Sequence, residues 1–307
     1  MLAVLLVVLP VASLIAVGFF ARLANLVSDR AGEGISDFVY ALAVPCLIFR
    51  TLAKAQIPAV QPWGYWISYF AGVAVVWVLA TVAARQLYRV NSAEGVVAGF
   101  SAGQANTVLV GIPLILKAYG EEGAVPLFLL IAIHLPIMMT VATLLVEGRG
   151  ASPVTILRRL VTHPIVVAVL AGSASRLLPT GVPDLAWLII EPIAGAAVPC
   201  ALVAMGMALR RYGLGSGFGL PAVITVLKLV VHPLVVYLLA TQAFSMPRAW
   251  AGVAVLFASA PSGINAYLFA ERYRSGVGIA SSAIGLSTVL SLFTTVFWLA
   301  VLGVGVN

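Results

Sequence analysis

Four polar side chains stand out in two runs that are largely apolar. Gln104 and Asn106 lie in GFSAGQANTVLVGIPLI, residues 99–115, and Ser262 and Asn265 lie in FASAPSGINAYLFA, residues 257–270. Each run also holds a proline, Pro113 or Pro261, and Gly103, Gly111 and Gly263 loosen the same stretches. Proline removes a backbone donor and clashes with the preceding turn, so both runs should unwind. Unwinding frees N–H and C=O groups, and the N-terminus of a half-helix presents partial positive charge to an anion. Amides beside such breaks can donate to a carboxylate without a fixed charge that would trap it. The chemistry expected is reversible binding of a small organic anion, with Gln104, Asn106, Pro113, Pro261, Ser262 and Asn265 as candidate binding residues. The competing reading is a pair of kinks satisfied by neighbouring helices, with asparagine joining the helices.

The other candidates are titratable. Lys228 and His232, in VLKLVVHPLVV, are four residues apart and share one helix face. A lysine inside an apolar run is a functional candidate by default. It could pair with Glu191, offset a substrate anion or carry a coupling proton; a structural ion pair or snorkelling to the interface is the alternative. Asp37 and Glu191 are candidates for the same coupling or pairing roles, or are carboxylates placed at helix starts. Pro45 and Pro199 lie mid-run and read as paired kinks with a lining role. His134, alone in IAIHLPIMM, reads as a satisfied core residue. There is no Walker loop, and the histidines have no HExxH or carboxylate-rich spacing, so no cofactor or metal is expected. No aspartate pair suits an intramembrane protease, so an enzyme is not expected.

The elements that must position these residues follow from composition. The chain has 307 residues, 62% hydrophobic and 9% charged, with a mean hydropathy of +1.12. A soluble domain carries about 25% charged residues, so this chain is an integral membrane protein, and most soluble enzymes and nucleic-acid binders are excluded. Ten apolar segments lie near 3–21, 34–53, 64–84, 93–116, 123–146, 161–179, 183–209, 219–243, 249–270 and 276–303. They are continuous rather than alternating, which predicts all-α spans and argues against a barrel. The first run lacks the basic region of a cleaved signal peptide and reads as a span. Cys46 and Cys200 sit inside apolar runs and read as packing residues.

Basic residues orient the bundle. Loops one, three, five, seven and nine hold Arg22, Arg30, Arg85, Arg89, Arg149, Arg158, Arg159, Arg210, Arg211, Arg272 and Arg274. The opposite side holds Arg50, Lys54, Lys117, Arg176 and Arg248. This bias of eleven to five marks the cytoplasmic face and places both termini outside. Lys228 is the seventeenth basic residue and belongs to no loop. Residues 1–46 match residues 155–200 at eleven positions with an offset of 154. About four matches would follow from shared apolar composition alone. Pro10 falls on Pro164, Gly18 on Gly172, Asp37 on Glu191, and Ala43-Val44-Pro45-Cys46 on Ala197-Val198-Pro199-Cys200. The expected domains are a five-helix repeat over 1–146, a short cytoplasmic loop over 147–160 and a second repeat over 161–307. Five spans per half invert the second repeat, as in many secondary transporters. Segments four and nine should be the discontinuous helices.

These residues resemble those of the auxin efflux carrier family, whose plant members are the PIN proteins. Pro10, Gly18, Arg22 and Leu23, then AVPCLIFRTLA at 43–53, are similar to its first two spans. NTVLVGIPLI at 106–115, KLVVHPLV at 228–235 and APSGINAYLFAERY at 260–273 resemble its fourth, eighth and ninth. The resemblance covers essentially the whole chain and matches bacterial malate or malonate members, since the short central loop lacks a long hydrophilic insert. It implies an elevator-type carrier in which spans one, two, six and seven form a scaffold and the other six a transport domain. It also implies that substrate binds where spans four and nine cross, and that the cargo is an organic anion such as auxin, malate or malonate. The expected setting is the cell (inner) membrane, with the lipid bilayer and the anion as partners; Gly and Ala on many helix faces permit a homodimer. The rival is a sodium-coupled symporter or sodium/proton antiporter of related architecture. Sodium sites want several oxygen ligands, usually acids, and the two breaks contain none.

Overall fold

The computed structural model describes residues 2–54, 63–148, 162, 164–178, 181–209 and 217–304. Most of the expected central loop, with Arg149, Arg158 and Arg159, lies outside the described residues, as do His163, Arg210 and Arg211. The helices are α1 (Leu2–Leu23), α2 (Asp29–Lys54), α3 (Trp63–Gln86), α4 (Ser92–Gly103), α5 (Thr107–Glu147), α6 (Pro164–Ser175), α7 (Asp184–Ala208), α8 (Gly219–Ala243), α9 (Arg248–Ser259), α10 (Ile264–Arg272) and α11 (Val277–Val301). Among the described residues no strand forms, and the one β-type pairing is an isolated antiparallel bridge between Ala105 and Ser262. Six helices, α2, α3, α5, α7, α8 and α11, are long and apolar enough to cross a membrane. Six is fewer than the ten segments expected, because segment nine is divided into two short helices and segment four into α4 and the start of α5, which continues through segment five. Described apolar stretches within segments one and six are also short, at Leu9–Leu23 and Pro164–Ser175.

Local sequence sets these ends. Asn91 caps α4 by accepting from Glu94 N–H, while Glu94 returns its carboxylate to Asn91 N–H, a capping box. The 41 residues of α5 would reach about 60 Å if straight, roughly twice a bilayer core. They do not run straight: at Gly120 the backbone takes φ 55° and ψ −137°, which a residue with a side chain would resist. Three prolines explain three wide turns. Upstream of Pro45, Pro113 and Pro233, the N–H groups of Val44, Ile112 and His232 reach back five residues to Val39, Thr107 and Leu227. The extra residue relieves the clash of the proline ring with the carbonyl four residues before it. Pro199, the offset mate of Pro45, lies instead inside α7 without such a turn.

The helices pack in two groups. In the first, α1 lies along α7, and α2 along both α6 and α7. A Cβ on Gly18 would sit 2.1 Å from Val203 O, and one on Gly172 would sit 2.9 Å from Phe49 O, so both contacts need bare backbone. Gly18 and Gly172 are offset mates, and so are Phe49 and Val203: the two contacts are reciprocal. The second group joins α3, α4, α5, α8, α9, α10 and α11. Its centre is aromatic, with Tyr69 edge-on to Phe257 and His134 at 5.2 and 5.4 Å between ring centroids. The groups meet where the first turn of α5 touches α7 and where α1 touches α11. At the rim, Tyr273 donates to Glu147; burial first, and then this carboxylate, hold its phenol above the usual value.

Candidate functional site

The chain leaves the helix at Gln104–Asn106 between α4 and α5, and at Ala260–Gly263 between α9 and α10. The two breaks lie side by side. Asn106 N–H donates to Pro261 O (2.7 Å), and Gly263 N–H donates to Gln104 O (3.2 Å). Each break also forfeits a helical bond. Ala105 N–H no longer reaches Ser101 O, and Ser262 N–H no longer reaches Ala258 O. Four side chains fill the vacated positions. His134 Nε2 accepts from Ala105 N–H (3.4 Å), and Ser262 Oγ donates to Ser101 O (2.7 Å). Ser287 Oγ accepts from Ser262 N–H (3.0 Å), and the Lys228 amino group donates to Ala258 O (2.6 Å). A buried backbone group left unpaired costs about as much as a lost hydrogen bond, so this substitution is what permits unwound chain at depth.

The candidate residues divide by place. Gln104, Asn106 and Ser262 are buried at 1%, 3% and 0% exposure; Pro261 is buried within its break, and Pro113 is buried further along α5. Asn106 Oδ1 caps the first turn of α5 through Leu109 N–H (3.4 Å), while its Nδ2 donates to Met205 Sδ of α7 (3.2 Å). A thioether is a weak acceptor, so this donor is held lightly and across the boundary between the two groups. Gln104 Oε1 is buried without a partner, against Gly263. Asn265 lies half-buried in the first turn of α10, whose N-cap is Gly263 with no side-chain cap.

Lys228 is fully buried on α8 and also donates to His232 Nδ1 (3.2 Å). It does not pair with Glu191. That carboxylate takes Lys54 at 2.6 Å on the surface between α2 and α7, and Lys54 in turn lies 4.5 Å from the Trp187 ring. Asp37 is exposed on α2, and Pro199 is exposed on α7. Pro45 lines an apolar cavity of about 320 Å³ with Phe49, Pro164 and Ile190. Asp37, Glu191, Pro45 and Pro199 are thus not brought to the crossing. Glu191 instead borders a cavity of about 810 Å³ with Arg50, Lys54, Glu121, Glu122 and Trp250.

Sequence reading missed the supporting side chains. His134 is a buried residue, as the sequence suggests, yet it serves the break, and Tyr69 Oη lies 3.0 Å from its other nitrogen. Ser101, Ser287 and Met205 were not singled out. Serines in the apolar run of α11 were the available signal, since hydroxyls there need partners. Among the described residues no group of three His, Cys, Asp or Glu could hold a metal, and Cys46 and Cys200 are free thiols.

Comparison with known proteins gives the chain a family. The family model described as "Membrane transport protein" matches residues 3–156 and 152–299. A Rhizobium meliloti protein provisionally named a malonate transporter is 30% identical over 302 residues, covering 94% of this chain and 92% of the relative. An uncharacterised transporter of Methanothermobacter thermautotrophicus is 26% identical, covering 96% and 97%. Another from Methanocaldococcus jannaschii is 22% identical, covering 95% and 96%. With apolar helices able to cross a bilayer repeatedly and family matches along nearly its whole length, the chain is a multi-pass membrane protein that belongs to the membrane transport protein (auxin efflux carrier) family.

Proposed function

We propose that the protein is a secondary carrier that moves an organic anion, malonate or a related small carboxylate, across the cytoplasmic membrane. The observation that carries this is the crossing itself. Two broken helices present amides and unwound backbone beside buried Lys228, and the described hydrogen bonds bring no acid to them. An ammonium with no carboxylate beside it favours an anionic cargo and disfavours a sodium ion. Asn106 Nδ2, held by a thioether, is a donor that a carboxylate oxygen would take over readily.

In this reading ten spans form two inverted five-helix repeats with both termini outside, and the reciprocal glycine contacts at Gly18 and Gly172 support the pseudo-symmetry. The group of α1, α2, α6 and α7 is the fixed body. The other group carries the crossing past it in an elevator movement, with Asn106 leaving Met205 during each cycle. Lys228 offsets the negative charge of the cargo, and His232 orients Lys228. The test is counterflow in proteoliposomes with labelled malonate, malate and monocarboxylates such as auxin. Saturable exchange that is lost in Asn106→Ala and Asn265→Ala is expected. Exchange at the wild-type rate in both variants would remove the site, and no exchange of any carboxylate would remove the cargo class.

A further inference from the structure

We propose that His134 is a positioning residue for the substrate crossing, and that Tyr69 makes it one by holding its ring from the other nitrogen. The transport readout rests on the carrier reading above; the tautomer does not. A backbone N–H can only donate, so the bond from Ala105 requires a lone pair on His134 Nε2. The neutral ring then carries its proton on Nδ1, which donates to Tyr69 Oη at 3.0 Å. The opposite tautomer would set two N–H groups against each other at Ala105. The Ala105 N–H thus sets the tautomer, and Tyr69 steadies the ring from its other side.

The effect converges on the binding amide. Ala105 stands between Gln104 O and Asn106 N, the two atoms that bond across to Gly263 and Pro261. Losing the acceptor at Ala105 lets this short extended stretch rotate, and the Asn106 side chain turns with it. The same cluster also holds the other break. Phe257, the residue before Ala258, packs edge-on to Tyr69 and to His134 at 5.2 and 5.3 Å between centroids. His232 lies 5.4 Å from the Tyr69 ring and takes its hydrogen bond from Lys228 on Nδ1, so its own proton sits on Nε2. Two histidines in opposite tautomers thus serve the two breaks, one as acceptor for the freed N–H of the first, the other by orienting the lysine that caps the freed carbonyl of the second.

The experiment uses the full chain without a histidine tag. The sequence holds three histidines, so a ¹⁵N-histidine spectrum has few signals and His134→Gln assigns the one of interest. The wild type should show His134 protonated on Nδ1, and Tyr69→Phe should keep that tautomer while moving the Nδ1 signal. In malonate counterflow, His134→Leu, which has no acceptor, should raise KM about tenfold or more while the maximal rate falls less than about threefold. His134→Gln restores an acceptor and should stay within about threefold of wild type. Tyr69→Phe should raise KM in the wild-type background and add nothing in His134→Gln. Melting curves show whether each variant is folded; should His134→Leu unfold, the Gln and Phe variants carry the comparison. An Nε2–H wild-type His134 would overturn the proposal, as would a folded His134→Gln as impaired as His134→Leu. Wild-type protein that exchanges no carboxylate would end the carrier reading and leave the tautomer to decide this one.

Discussion

At the scale of single residues the weakest and strongest bonds of the crossing have opposite uses. Asn106 Nδ2 donates to Met205 Sδ, which a ligand can displace at little expense. Met205→Leu removes that acceptor and leaves an amide donor unpaired in the empty carrier, so the cargo has less to displace. We expect malonate KM to fall roughly two- to fivefold, in line with the modest net worth of a neutral hydrogen bond; an unchanged or raised KM in counterflow would show that Met205 does not hold the donor. Lys228 is the contrary case. Its amino group caps Ala258 O at 2.6 Å and supports His232, with no exposed route to water. Lys228→Met has nearly the same length but leaves two buried acceptors unpaired, each costing about 1–3 kcal/mol. A fall in melting temperature with loss of exchange is expected. Full stability would mean that the carbonyl at the break needs no cap.

At the scale of elements, the breaks depend on close approach of backbone to backbone. A Cβ on Gly263 would sit 2.8 Å from Ala105 O and 2.0 Å from Gln104 Oε1. Gln104 can turn aside, but the carbonyl belongs to the bridge and cannot. Gly263→Ala should therefore destabilise the protein by about 1–3 kcal/mol and abolish exchange. Gly195→Ala, where a Cβ meets nothing within 4 Å inside α7, should leave the melting temperature unchanged or raise it slightly. Equal melting temperatures for both variants would contradict the close crossing. Such positions mark what was legible beforehand. Proline and glycine beside amides located both breaks, because those residue types alter backbone options wherever they stand. The partners of the breaks were not legible. His134 is 29 residues from Ala105 and Lys228 is 30 from Ala258, and contacts at that range are settled by packing. The pairing of Glu191 with Lys228 failed for the same reason: Lys54 at the end of α2 lies nearer, at the surface. The offset that matched Pro45 to Pro199 recovered their positions but not their local geometry, since only Pro45 follows a wide turn.

At the scale of the whole molecule, charge and topology can be tested together. In the proposed topology, which rests on the eleven-to-five division of basic residues, the end of α3 faces the cytoplasm and the end of α2 the outside. Lys54 and Arg89 are both exposed, on opposite sides in this assignment. Cys46 and Cys200 are free and half-buried, so a Cys46→Ser, Cys200→Ser background removes competing thiols. In that background Lys54→Cys should react with a membrane-impermeant maleimide in intact cells, and Arg89→Cys should react only after permeabilisation. The reverse pattern would invert the protein in the membrane and with it the side from which cargo enters. Lys54 carries a further consequence, because it borders the cavity of about 810 Å³ that also touches Gly120, Glu121, Glu122 and Trp250 of the other group. If the second group slides past the first, the walls of that cavity must move relative to each other. Saturating malonate should then change the labelling rate of Lys54→Cys while leaving Arg89→Cys, on a loop within the moving group, at its own rate. Labelling of Lys54→Cys that ignores malonate, in protein that exchanges it, would argue against relative motion at this boundary.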